Sequence, residues 1–299
     1  MPEWPDVTVY VEHLSRRLVG AAVLDVSVRG PNLLRTATPA LSDAMDRRVL
    51  SVSRLGKRIV FALTGERFLV LHLMIAGRLH WGSGPRSAGK TVQAVVRFSP
   101  GTLTLSEAGS KKRAALHYLA DFDALASLDA GGLEPVGSSL DAFAARLSLE
   151  NHTLKRALTD PRLFSGIGNA YSDEILHRAR LSPLRLTRQL ALDEVARLHA
   201  AVADVLLSWT DRLRVDAGDE FPEGVTAFRP EMMVHGRYGK PCPVCGTSVQ
   251  RITYAEKNEV NYCPRCQTEG RLLADRSLSR LLKDDWPRTI EELEEGRMR

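Results

Sequence analysis

Nowhere in the 299 residues is there an apolar run long enough to cross a bilayer. A spanning helix needs ~20 consecutive apolar residues, and the stretch from Phe68 to Ile75 is far shorter and is interrupted by His72. No membrane partner is expected. The start, Met-Pro-Glu-Trp-Pro-Asp, lacks the basic cluster and apolar core of a secretory signal, so a bacterial-type cytoplasm is the expected compartment. Cysteine is missing from the first 241 positions, which argues against a distributed disulfide frame. Internal repeats and low-complexity tracts are absent too. A strong charge of one sign is also lacking: Lys plus Arg number 41 against 36 Asp plus Glu, a net +5 with pI near 9.1. That balance favours a polyanionic partner without proving one.

What is there falls into four stretches. Val7, Val11, Leu14 and Leu18 recur at three- and four-residue spacing, which predicts a helix starting almost at the first residue. Short β-branched and aromatic runs follow at 23–28, 49–52, 58–63, 68–73, 92–98 and 102–105, separated by Gly, Pro and Ser, the pattern of an antiparallel sandwich or barrel. After Gly131-Gly-Leu-Glu-Pro-Val-Gly137 helical periodicity takes over, with helices predicted from Asn151 or Thr153 to Asp160, over 169–180 and over 187–213. Polar residues with Gly218, Pro222, Gly224 and Pro230 then read as a mobile loop. The expected divisions are therefore 1–135, 136–233, 234–268 and a tail, 269–299, to which no role is assigned.

The cysteines carry the sharpest signal. Cys242-x2-Cys245 and Cys263-x2-Cys266 have the spacing of two knuckles that give four thiolates to one structural zinc ion, with no open position for catalysis. Between them, Val249, Ile252 and Tyr254 among polar neighbours predict a hairpin with its tip at 255–259. Arg237, Lys240, Arg251, Lys257 and Arg265 make this module basic, so the tip suits a nucleic-acid groove; a merely solvated hairpin is the competing reading.

At the other end, Pro2 stands behind the initiator Met, a small residue that processing exposes as a secondary amine. An α-amino group titrates at about 7.7 to 8.0, so part of it is unprotonated near neutrality and can attack a sugar carbon. Glu3 beside it suits proton transfer. In isolation Met-Pro-Glu is a weak signal and reads first as an ordinary chain start.

Pro2-Glu3-x-Pro5-Asp6-Val7, then Gly166-Ile167-Gly168-Asn169, then the four-cysteine ribbon occur in one order, and together they resemble the formamidopyrimidine-DNA glycosylase and endonuclease VIII family over residues 1 to about 268. The resemblance implies an α+β multidomain fold: an N-terminal β-sandwich with a leading helix, then a helix-two-turns-helix domain bearing a zinc ribbon. It implies a DNA glycosylase and abasic-site lyase acting on damaged double-stranded DNA, with the duplex running through a basic cleft between the domains; one asymmetric lesion needs only a monomer. By the same resemblance Pro2 is the Schiff-base nucleophile, Glu3 the general acid/base, Asp6 a second carboxylate and Lys57 a turn lysine that touches phosphate and assists catalysis. Asn169 is implied in phosphate binding, with Gly166 and Gly168 permitting close approach; the alternative is that Asn169 only caps a helix. Glu174 and Lys155 match an acidic and a basic position of the family. Ile75, with Met74 adjacent, falls where the family fills the gap left by a flipped base, although the run also reads as a buried strand.

Two departures stand out. The family's hairpin arginine is replaced by Asn258, leaving Lys257 as the candidate cation without bidentate geometry. The family's Arg-Arg-Phe-Gly loop is not recognisable; Lys111, Lys112 and Arg113 stand in its place and suit phosphate contacts or simply a solvated face. A damage sensor without chemistry, or an RNA-binding ribbon protein, remain the rival readings, and the preferred lesion stays open.

Overall fold

The computed structural model describes residues 1–84, 89–223, 229–254, 259–273 and 287–297. The chain forms two compact units, one of residues 1–131 and 208–227, the other of 132–207 and 228–299. Among the described residues no helix is long and apolar enough to cross a membrane.

The first unit opens with α1 (Trp4–Leu18). Val7, Tyr10, Leu14 and Leu18 are fully buried, so the apolar stripe runs through Tyr10 rather than the half-buried Val11. Each such side chain contributes roughly 1.5–3 kcal/mol, enough to fix the chain start on the strands beneath. Eight strands follow: β1 (Val23–Val28), β2 (Val49–Leu55), β3 (Arg58–Leu63), β4 (Arg67–His72), β5 (Gly77–Gly82), β6 (Val92–Phe98), β7 (Gly101–Glu107) and β8 (Ala115–Leu119). They pair antiparallel in two four-stranded sheets, ordered β1-β6-β7-β5 and β2-β3-β4-β8. Strands β5 and β8 were not anticipated from the sequence.

Period-two alternation decides what each face covers. Ile59, Phe61, Leu63, Leu69 and Leu71 enter the main core, while Val60, Phe68 and Val70 point the other way. That second face is sealed by Ala124, Leu125 and Leu128 on and after α2 (Phe122–Ala126), with Phe122 edge-on to Phe68 at 4.8 Å.

The second unit holds α3 (Leu140–Ser148), α4 (Leu154–Thr159), α5 (Asn169–Ala179) and most of α6 (Leu192–Ala217), whose residues from Ser208 onward group with the first unit. Thr153 caps α4, accepting from Arg156 N. The predicted helix over 187–213 is shifted: residues 187–189 form one 3-10 turn, and α6 begins at Leu192. The start of the expected mobile loop is ordered instead: α6 runs on to Ala217 and Phe221 is buried against Tyr10, 5.7 Å between ring centroids, while residues 224–228 lie outside the described residues. The hairpin of β9 (Gln250–Thr253) and β10 (Glu259–Tyr262) follows, then α7 (Pro264–Thr268). The tail returns as α8 (Ile290–Arg297), tied back by Ile290 N to Gly270 O at 2.9 Å.

Candidate active site and metal centre

In the first unit, α1 is entered through Glu3 at its N-cap. Glu3 N donates to Asp6 Oδ2 at 2.9 Å, and the Glu3 carboxylate accepts from Asp6 N in return, a reciprocal cap that holds both carboxylates against the helix start. Pro2 is buried, and Glu3 and Asp6 are 2% and 1% exposed. The terminal amine of the unprocessed chain is held below its ordinary value, first by burial; Glu3 and Asp6 pull it up, while Arg78 and Lys57 push it down. The chain start, two carboxylates and two cations therefore lie within electrostatic reach of one another. Three of the sequence-predicted residues, Pro2, Glu3 and Lys57, converge here.

Lys57 sits in a two-residue β2–β3 turn after Gly56, whose φ of +59° is the left-handed conformation such hairpin turns require. Arg54 Nη1 donates to Gly56 O at 2.9 Å and stacks on Trp4 at 5.0 Å, bracing the turn beside α1. Arg78 was missed by sequence reasoning. It lies on β5 and donates to Gly77 O at 2.7 Å and Ile75 O at 3.3 Å; its only signal was an arginine inside a short alternating run.

Strand β4 stops at His72, so residues 74–76 are a turn and not the buried strand that the sequence also allowed. Met74 adopts φ +53°, and Ile75 is 58% exposed. Gly77 closes this turn with N to Leu73 O at 2.9 Å, and a Cβ there would stand 2.3 Å from that same oxygen, so no other residue fits. The cationic run forms the β7–β8 connection. Buried Glu107 accepts from Arg113 N and Ala114 N, and Lys112 Nζ donates to Glu107 O, which leaves Lys111 and Arg113 exposed.

In the second unit, the turn before α5 includes Gly166 at φ +80°, and the N-cap is Gly168. Asn169 is the first helical residue and not the cap, which corrects the capping alternative; its Nδ2 donates to Glu259 O at 3.0 Å. Lys155 is also placed differently from a surface cation. Its ammonium is buried and donates to Asn169 O at 2.6 Å, Ser172 Oγ at 2.8 Å and the Asp173 carboxylate, so it supports the start of α5 from beneath. Glu174 accepts from the backbone N–H groups of Met233, Val234 and His235 at 2.7, 2.9 and 3.0 Å, while burial raises its pKa against those bonds. Lys257 lies outside the described residues, as does most of the expected hairpin tip.

The four cysteines are free thiols with all Sγ atoms within 4.8 Å of one another. Cys245–Cys263 and Cys242–Cys266 lie 3.3 and 4.0 Å apart, too long for a disulfide and close to the ~3.8 Å edge of a tetrahedron with 2.3 Å metal–sulfur bonds. The donor set fits a metal ion. Glu150, His152 and Asp160 form another group with suitable spacing, but the Arg162 guanidinium already stands 2.7 Å from Asp160 and 3.5 Å from Glu150.

The sequence profile of the formamidopyrimidine-DNA glycosylase N-terminal domain matches residues 1–114, and that of the same protein's H2TH domain matches 132–212. The formamidopyrimidine-DNA glycosylase of Solibacter usitatus is 32% identical over 276 residues, 89% of this chain and 99% of its own. An uncharacterized formamidopyrimidine-DNA glycosylase-like protein of Mycobacterium tuberculosis is 41% identical over 152 residues, 51% of this chain and 94% of its own. Among solved structures, the MutM (Fpg) protein of Thermus thermophilus superposes with a TM-score of 0.74 at 31% identity, covering 89% of this chain and 98% of that one. The Lactococcus lactis Fpg, solved in complex with DNA containing an abasic site, superposes at 0.77 and 23% identity over 89% of this chain and 99% of its own, a likeness of fold. With both domain profiles matched in order and a relative aligned along almost its whole length, the chain belongs to the formamidopyrimidine-DNA glycosylase family.

Proposed function

We propose that this protein is a bifunctional DNA glycosylase and abasic-site lyase of base excision repair, acting in the cytoplasm on double-stranded DNA that carries a damaged base or an abasic site. The observation that carries the reading is the burial of the chain start among Glu3, Asp6, Lys57 and Arg78. Removal of Met1 leaves the Pro2 secondary amine in that place, next to a carboxylate that can give and take a proton and cations that attract phosphate.

The Pro2 nitrogen attacks C1′ of the flipped nucleotide, and the bond from C1′ to the base breaks. Glu3 protonates the ring oxygen as the deoxyribose opens, and the nitrogen lone pair closes an iminium to C1′. That iminium accepts the electrons released when a C2′ proton is lost, so the C3′–O bond breaks and the 3′ phosphate leaves; loss of a C4′ proton into the conjugated iminium then breaks the C5′–O bond and the 5′ phosphate leaves. A base stacked in a duplex is out of reach of Pro2, so extrusion comes first, at a few kcal/mol that damage lowers. Ile75, with Met74, fills the vacated stack. Lys57, Lys111, Lys112, Arg113, Asn169 and Lys257 hold the backbone, and Lys155 acts through the start of α5. The four cysteines bind one zinc ion, which cross-links a hairpin too small to fold alone.

The test is borohydride trapping. Incubated with an abasic-site duplex and reductant, the processed protein should yield a covalent adduct, and Pro2→Gly should yield none. An equal adduct from Pro2→Gly sinks the mechanism.

A further inference from the structure

Along α5, Asn169, Asp173 and His177 follow one another at four-residue intervals and so occupy one helix face. All three meet the ribbon. Asn169 donates to Glu259 O on β10, the Asp173 carboxylate accepts from Asn261 N at 3.2 Å and contacts His235 Nδ1 at 2.8 Å, and His177 Nε2 lies 3.4 Å from Cys242 Sγ. The helix that starts at the Gly168-Asn169 turn thus ends on one of the four sulfurs.

We propose that His177 is a positioning residue for the metal, donating its Nε2–H to the Cys242 thiolate and fixing that ligand to α5. The inference rests on the zinc reading above. Four thiolates around a dication carry a net negative charge, and a ring N–H aimed at one sulfur offsets part of it and sets the ligand's direction. His177 is 5% and Cys242 2% exposed, so water cannot take the place of the imidazole. Val234 and Val249 pack against Cys242 as apolar neighbours. Partners of this kind behind a metal ligand typically change metal affinity by about 10–100-fold. Nothing in a Cys-x2-Cys motif points to a histidine 65 residues upstream; only the fold brings it there.

The readouts are zinc release to a chromogenic chelator and the thiolate-to-metal absorption of the cobalt-substituted protein, neither of which involves DNA. His177→Phe removes the donor and keeps the ring volume; His177→Gln returns an N–H near the Nε2 position. Release from His177→Phe should be at least about tenfold faster than from the parent, with a shifted cobalt band, and His177→Gln should restore both toward the parent. Equal release rates from parent and His177→Phe, or equal behaviour of the two variants, would overturn the proposal while leaving the zinc reading intact. A parent protein that takes up neither zinc nor cobalt would overturn both.

Discussion

Glu3 and Asp6 cap each other: the backbone N–H of each donates to the carboxylate of the other, and both side chains are almost wholly buried. The acid that would protonate the opening sugar is therefore aimed by its neighbour one turn along. Asp6→Ala is expected to lower stability by about 1 kcal/mol through loss of the cap and to slow base release by misplacing Glu3. Asp6→Asn keeps an acceptor and should hold the melting temperature. Thermal melts beside single-turnover base release check this; an active, fully stable Asp6→Ala would show that the cap matters to neither.

Glu3→Gln separates two steps. Base release from a damaged nucleotide needs the proton and should fall on the order of 100-fold or more. An abasic site has already lost its base, and its hemiacetal opens reversibly to the aldehyde without enzyme, so borohydride trapping of that substrate should persist. Loss of both together would place Glu3 in attack rather than in ring opening.

Ile75 stands exposed on a turn closed by Gly77, so Ile75→Ala should shift stability by no more than about 0.5 kcal/mol. Affinity for a lesion duplex should weaken by roughly tenfold, because the vacated stack loses its apolar filling. Fluorescence anisotropy on matched lesion and intact duplexes measures the difference, and an equal loss on both would assign Ile75 to general binding.

Lys155 and Asp173 are buried together with three acceptors around one ammonium. Lys155→Met leaves a buried carboxylate short of its cation and is expected to cost about 3–5 kcal/mol. A variant with unchanged urea midpoint and weaker DNA binding would instead make Lys155 a direct phosphate contact.

His72 contributes one part of the pH dependence. Burial, then the charges of Arg58, Lys57 and His117, hold its pKa down to about 4. The unfolded chain, near 6.5, takes up this proton first as pH falls, so the stability it carries is intact above about 6.5 and is lost between there and about 4. His72→Gln should reduce the stability lost between pH 7 and 5 by about 2 kcal/mol, as read from urea titrations at the two pH values.

Much of this was legible in the residues. Alternation placed β1 and β3 at their observed bounds, the cysteine spacing named its cluster, and the glycines before Asn169 marked the turn. Strand β5 escaped because Gly77 and Gly82 bracket a short run of Arg, Leu, His and Trp and read as breakers; β8 escaped because it follows three cations. The burial of Lys155 was not legible because its counter-charge, Asp173, is 18 residues away on another helix, beyond any local pattern. The Glu3–Asp6 cap was overlooked because its two acids invert the usual order, with glutamate at the cap and aspartate three residues on.

Met1 is half-buried and Pro2 buried, which has a bearing on biosynthesis if the proposed nucleophile is to be exposed. An aminopeptidase needs an extended, accessible terminus, and folding of α1 onto its strands withdraws it. On the proposed mechanism, methionine trimming is expected on the nascent chain, before the helix docks. Molecules that fold too early should persist as an inert fraction beyond rescue by later peptidase treatment, visible in intact-mass spectra as a species one methionine heavier.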